Sequence, residues 1–313
     1  MESRKPEEKL SHIEMLDEIQ QELVEGLQGG KPKKYGKYSW IIVLLAVLAV
    51  MSLELLKRKE AMLLLPETPD LQILFLDVGQ ADAALLMCDG ETMLIDGGNV
   101  DDGSLICTVL REQKIDSLDY LVCTHAHEDH VGGLGAVLTA CSAERVLCPV
   151  REYDSRAFES FADRAGKITV PEPGDTFYLG GAVVQILACD PEAAETNNTS
   201  IVLKLSYGMT DFLFTGDAEY EVEQWILDSG YDPSADVLKV GHHGSSTSTS
   251  YRFLNAVMPR YGVISVGEDN SYGHPEEVVL ARLRDADVTV LRTDQQGNIL
   301  CRSDGKTVSF PAS

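Results

Sequence analysis

Positive charge is scarce in this sequence. Its 313 residues carry 26 Lys plus Arg against 50 Asp plus Glu, a formal net charge of −24. Nearly all of that excess lies after residue 60. Such a surface does not hold a phosphate backbone by releasing counterions. Nor is there a stripe of basic and aromatic side chains of the kind that binds single strands. An anionic substrate would have to be held locally, by metal ions or by backbone amides. Paired cysteines are lacking as well. Cys88, Cys107, Cys123, Cys141, Cys148, Cys189 and Cys301 are odd in number, scattered, and contain no CxxC. That argues against a disulfide framework and a cysteine zinc site, and the seven read as small buried hydrophobes. A Gly-rich nucleotide loop is also missing, since the DGG at 96–98 is too short to be one.

The chain is nevertheless 44% hydrophobic, enough for a sizeable core. Residues 12–28 place Leu16, Ile19, Leu23 and Leu27 at helical spacing, which predicts a short amphipathic helix able to dock a partner. It lies within an N-terminal tail spanning 1–37. The apolar run WIIVLLAVLAVMSL at 40–53 is flanked by Tyr38, Trp40 and lysines. With Leu55 and Leu56 it predicts a transmembrane anchor over 38–56, followed by a linker over 57–68. Lysines before the span place the N-terminus in the cytoplasm and the rest of a single-pass cell-membrane protein outside it. From residue 69 to 313 short apolar runs alternate with Asp- and Gly-rich breaks. Three opening strands (71–78, 82–89 and 91–96) precede mixed helices and strands. Among these are a helix over 131–140 and one long final strand over 298–310. The pattern predicts an α/β domain of two sheets covered by helices.

The chemistry concentrates in THAHEDHVGG, residues 124–133. Three histidines and an aspartate there share one loop at the end of an apolar strand. Imidazole nitrogens and carboxylate oxygens suit a divalent cation such as zinc, manganese or iron. His125 and His127 can share one ion, while Asp129 and His130 turn to a second. Asp217 follows the apolar strand DFLFTG, and a carboxylate emerging there can bridge two ions. GHHGS at 241–245 follows another apolar strand. One of its two histidines is expected to complete the second ion's ligands, with His242 favoured over His243. Ser245 and the hydroxyls after it suit either a phosphate or a helix cap. His274 lies in a YGHP segment near a helix start.

The H-x-H-x-D-H loop followed by Gly-Gly resembles the signature of the metallo-β-lactamase superfamily. So do Asp77–Ala83 (DVGQADA), Leu94–Gly98 (LIDGG) and Phe214–Asp217 (FTGD). NNTSIVLKL (197–205), LKVGHHGS (238–245), YGVISVG (261–267) and YGHP (272–275) resemble the metallo-β-lactamase-like domain of ComEC-type DNA-internalisation competence proteins. This resemblance covers residues 70–310. It implies a four-layer αββα sandwich and a metal-dependent hydrolase with two divalent ions, zinc or manganese. Asp129 or Asp217 would orient the attacking water, and Asn198, Ser245 and His274 would lie near substrate. It also implies a phosphodiester substrate, with single-stranded DNA the natural candidate. The chain departs from the superfamily in having no histidine between His130 and His242, where Asn197 and Asn198 stand. It departs from the competence type in carrying His127 where Asp is common. Two other readings remain: hydrolysis of another ester, lactone or amide, and a non-catalytic membrane partner with a degenerate metal site.

Overall fold

The computed structural model describes residues 71–311. The expected 12–28 helix and the 38–56 span lie outside these residues. Among the described residues no helix is long and apolar enough to cross a membrane.

Two sheets are built on one plan. In the first, β1 (Leu71–Phe75), β2 (Ala84–Cys88) and β3 (Glu91–Ile95) form an antiparallel meander. β4 (Ser117–Val122), β5 (Ser142–Leu147) and β6 (Ile168–Thr169) then continue it in parallel. Parallel neighbours need crossovers. These run through α1 (Gly103–Glu112), the short α2 (Glu128–Val131) with α3 (Leu134–Ala140), and α4 (Arg156–Ala165). The second sheet repeats the scheme. β7 (Thr176–Leu179), β8 (Ala182–Ala188), β9 (Val202–Tyr207) and β10 (Thr210–Phe214) are antiparallel. β11 (Val237–Lys239), β12 (Tyr261–Ile264) and β13 (Thr289–Arg292) follow in parallel. Their crossovers include α5 (Tyr220–Ser229), α6 (Tyr251–Val257) and α7 (Glu277–Asp285), and α8 (Thr293–Gln296) follows β13. The chain then returns to the first sheet, where β14 (Ile299–Ser303) pairs with β1 and with β15 (Val308–Ser309).

Burial explains the strand composition. Ile73, Phe75, Leu86 and Met93 of the first sheet share a core with Leu203, Leu205, Phe212 and Phe214 of the second. The outer face of the first sheet packs Leu85 and Leu121 against Ile106, Leu134, Phe158 and Phe161 of its helices. Leu213 and Leu238 pack likewise against Ile226, Phe253 and Leu283 on the other side. Strands covered on both faces read as continuous apolar runs rather than alternating ones, as DFLF and LVC do. The result is the expected αββα layering.

Two of the expected elements are split. The helix read over 131–140 is two helices broken at Gly132–Gly133. The strand read over 298–310 is two strands turning at Asp304–Gly305, where the Asp304 carboxylate accepts from the Lys306 and Thr307 amides.

Candidate metal centre

The parallel strands set the site, because their carboxyl ends leave loops at one edge of the sandwich. Past β4 come Thr124, His125 and His127. Past β10 comes Asp217, past β11 the His242–His243 pair, and past β12 Ser265. Asp96 sits just past β3 and Asp82 between β1 and β2. Backbone bonds lace the loops together: the Asp82 amide donates to Asp129 O at 3.0 Å, Gly97 to His130 O at 2.7 Å, and Gly98 to Asp82 O at 2.8 Å. The glycine pair after the histidines is needed for this approach. A Cβ on Gly133 would lie 2.2 Å from Gly97 O, and one on Gly132 2.5 Å from Asn99 C.

Asp129, His130, Asp217 and His243 bring one donor atom each to within 4.8 Å of one another. His130 Nε2 is 3.3 Å from Asp217 Oδ1 and 4.0 Å from Asp129 Oδ2. His243 Nε2 is 3.3 Å from Asp129 Oδ2 and 3.6 Å from Asp217 Oδ2. His130 Nε2, His243 Nε2 and Asp217 Oδ1 are buried without a hydrogen-bond partner. Buried polar atoms are normally paired, so three orphans converging on one point fit a cation. The opposite ring nitrogens are committed: His130 Nδ1 donates to Asp96 Oδ2 at 2.9 Å and His243 Nδ1 to Ser265 O at 2.9 Å. This outer bond is the usual way a ligating histidine is oriented. Asp96 also accepts from the Thr124 amide and hydroxyl, both at 2.7 Å.

His125 and His127 form the other half. Their Nε2 and Nδ1 lie 3.1 Å apart, close to the ~3.3 Å between two ligands of a tetrahedral zinc. Burial and the neighbouring His130 hold the His125 imidazole well below its usual value, so it is neutral and its lone pair is available. At His130, burial opposes the charged form, but Asp217, Asp96 and Asp129 outweigh it and hold the ring well above the usual value. His243 is raised in the same way, chiefly by Asp217 and Asp82 against its burial. Burial would raise Asp129 and Asp217, yet the His130 charge, joined by His243, holds both below the usual carboxylate range.

The structure places the two histidines of the pair differently. His243 is buried inside the donor group, whereas the His242 side chain is 22% exposed. His242 sits at the rim, its Nδ1 3.0 Å from Thr247 Oγ1 and its Nε2 3.6 Å from Asp217 Oδ2. Both residues adopt left-handed backbone, with φ 49° and 53°, as does Asp96 at 60°. Such strain costs roughly 1–3 kcal/mol per residue and gathers at functional sites. Asp217 does not cap α5: Glu219 holds that position.

The other expected residues fall around the site. Asn198 is nearly buried, accepting from the Glu219 amide at 2.9 Å and donating to Glu221 at 3.3 Å. Its neighbour Asn197 faces the cleft instead. Ser245 bonds Thr247 within its own turn, and Ser250 caps α6 by accepting from the Phe253 amide at 3.2 Å. His274 borders the cleft, its Nδ1 3.4 Å from Gln80 Nε2; burial and the nearby His242 and His243 hold it below its usual value. This cleft, about 360 Å³, opens over Asp129, Asp217 and His243, with Gln80 and Tyr272 on its wall. A larger cavity of about 570 Å³ beside Trp225 holds none of the candidate ligands. Sequence reasoning assigned no role to Asp82, Asp96, Thr124 and Lys239. The signal for Asp96 was the one used for Asp217, a carboxylate just past an apolar strand.

A two-sheet sandwich with a histidine loop at one edge and an aspartate and a histidine from the facing sheet defines a class. The chain belongs to the metallo-β-lactamase superfamily, whose family model matches residues 76–268. Among curated proteins it is similar to ComE operon protein 3 of Bacillus subtilis, 31% identical over 75% of this chain and 33% of that one. It is also similar to Recombination protein 2 of Haemophilus influenzae, 30% identical over 74% and 29%. Competence protein ComA of Neisseria gonorrhoeae matches at 29% over 85% and 36%. The match thus spans about a third of each of these relatives. Among solved structures, the metallo-β-lactamase fold protein YhfI from Bacillus subtilis shares the fold, with TM-score 0.52 and 14% identity over 75% of this chain and all of that one. CmlA, a diiron β-hydroxylase from Streptomyces venezuelae, matches with TM-score 0.51 and 13% identity over 76% and 55%.

Proposed function

We propose that this chain is a membrane-anchored, divalent-metal-dependent phosphodiesterase acting on a nucleic-acid strand, single-stranded DNA being the candidate. The observation that carries it is the convergence of Asp129, His130, Asp217 and His243, with three buried donor atoms otherwise unpaired. Asp129, His130, Asp217 and His243, with His125 and His127 beside them, would hold divalent cations, whose chemistry would be to acidify a water and to offset negative charge developing on the phosphate. The chain's own groups do the rest. Asp129, held ionised and with its side chain 32% exposed, orients the attacking water by accepting its hydrogen bond. Asp217 Oδ1 and Oδ2 face His130 and His243 respectively, so one carboxylate spans the group. His274, lowered by burial and by His242 and His243, borders the cleft and is placed to hydrogen-bond a leaving group there.

The substrate reading leans on similarity to competence proteins. The domain's acidic surface suits it only if cations, rather than lysines, hold the phosphate. That same surface favours a second reading, in which the substrate is a less charged ester, lactone or amide. The anchor rests on the apolar run at 40–53, with residues 69–313 forming the catalytic domain on the extracytoplasmic side. Residues 12–28, whose apolar spacing predicts an amphipathic helix, are the segment we assign to docking a partner. Hydrolysis of a single-stranded oligonucleotide, a lactone and a β-lactam, each with added manganese or zinc, separates the readings. Oligonucleotide cleavage that disappears in His125→Ala is expected. Cleavage that survives that substitution would overturn the mechanism.

A further inference from the structure

Behind His243 lies a charged pair that the proposed reaction does not use. Lys239, the last residue of β11, and Asp82, between β1 and β2, meet at 2.8 Å from Nζ to Oδ2. Both residues are 5% exposed. Burying two ions forfeits hydration that their attraction only partly returns, so the pair calls for a reason beyond stability. The geometry supplies one. Asp82 Oδ1 has no hydrogen-bond partner and lies 3.6 Å from His243 Nδ1. That nitrogen donates instead to Ser265 O, and in this orientation Nε2 reaches Asp129 and Asp217. Asp82 therefore competes with Ser265 for the ring's proton while Lys239 restrains it. Lys239 is itself tied down by the Val240 carbonyl at 3.1 Å.

We propose that Lys239 is a positioning residue for the metal centre, holding Asp82 away from the His243 ring so that Ser265 remains its partner. This rests on the reading of Asp129, His130, Asp217 and His243 as an ion site. When the restraint is removed, Asp82 replaces Ser265 as acceptor of the Nδ1–H hydrogen bond and the ring tilts, carrying Nε2 out of line with Asp129 and Asp217. When Asp82 is neutralised as well, the competitor is gone and the ring returns.

Co²⁺ titration of the full chain, followed by visible absorption, tests this, with His243→Ala identifying the band that depends on the ring. Lys239→Met is expected to weaken that ion's binding by about 10–100-fold, the usual effect of losing an outer partner of a metal ligand. Lys239→Arg should retain tight binding. The double variant Asp82→Asn/Lys239→Met should bind within about threefold of the unaltered chain, a recovery that a simple packing role does not give. Should Lys239→Met fail to fold, the double variant still decides. Wild-type affinity in Lys239→Met, or affinity in the double variant tenfold or more below wild type, overturns the proposal. Absence of any His243-dependent band in the unaltered chain removes both the ion site and this proposal. The band without phosphodiester cleavage removes only the substrate reading.

Discussion

At the scale of single residues, the protons on His130 and His243 stand where cations fit. Surrounding carboxylates raise both rings above their usual value, so loading the site should expel protons, and affinity should rise with pH. Calorimetric titration of manganese in buffers of different ionisation enthalpy measures that release directly. Replacing Asp96 by Asn removes an acceptor shared by His130 and Thr124. It should lower metal affinity by about 10–100-fold, seen by equilibrium dialysis. His243→Ala should cost more affinity than His242→Ala, because only the former ring is buried among the donors. The spacing in HAHEDH made His125, His127, Asp129 and His130 legible, and a carboxylate beyond an apolar strand made Asp217 legible. Which of His242 and His243 lies among the donors was not, since the two share the same sequence neighbours. Backbone twist and the reach of Ser265 O, 22 residues onward, select between them. The Asp82–Lys239 contact was equally hidden, because it joins distant segments of two sheets.

At the scale of elements, the break at Gly132–Gly133 is what lets the histidine loop lie against the Asp96–Gly98 turn. A methyl at Gly133 would push on Gly97 O, and Gly133→Ala should destabilise by roughly 1–3 kcal/mol, as overpacking does. A lowered urea midpoint with unchanged slope checks this. The apolar spacing through this segment reads as one helix, because period alone does not register how closely a second backbone approaches. β6 and β7 were not legible for a different reason: at two and four residues they are too short to carry a hydrophobic pattern. The three opening strands were legible because both faces of their sheet are covered, which forces long apolar runs.

At the scale of the whole molecule, the buried charges set how metal-free stability varies with pH. His130 and His243 have raised values, so their contribution is complete below the usual 6.5 and is lost as pH rises through those raised values. Asp129 and Asp217 have lowered values; their contribution is present above the usual 3.8 and is lost as pH falls. His125, lowered, loses stability only below 6.5 and so does not offset the histidines at higher pH. The metal-free melting temperature should therefore fall as pH rises above 6.5, and saturating manganese should reverse the trend. Thermal melts with and without chelator show which holds. The donors come from both sheets, Asp129 and His130 from the first and Asp217 and His243 from the second. An ion gripped by all four acts as a rivet through the seam, and no chain that has assembled only one sheet can hold it. At a hundredfold excess over its dissociation constant, such a rivet adds about 2.7 kcal/mol against opening. Capture of the ion thus doubles as a signal that both halves have met, and protease resistance should appear at the same metal concentration as activity.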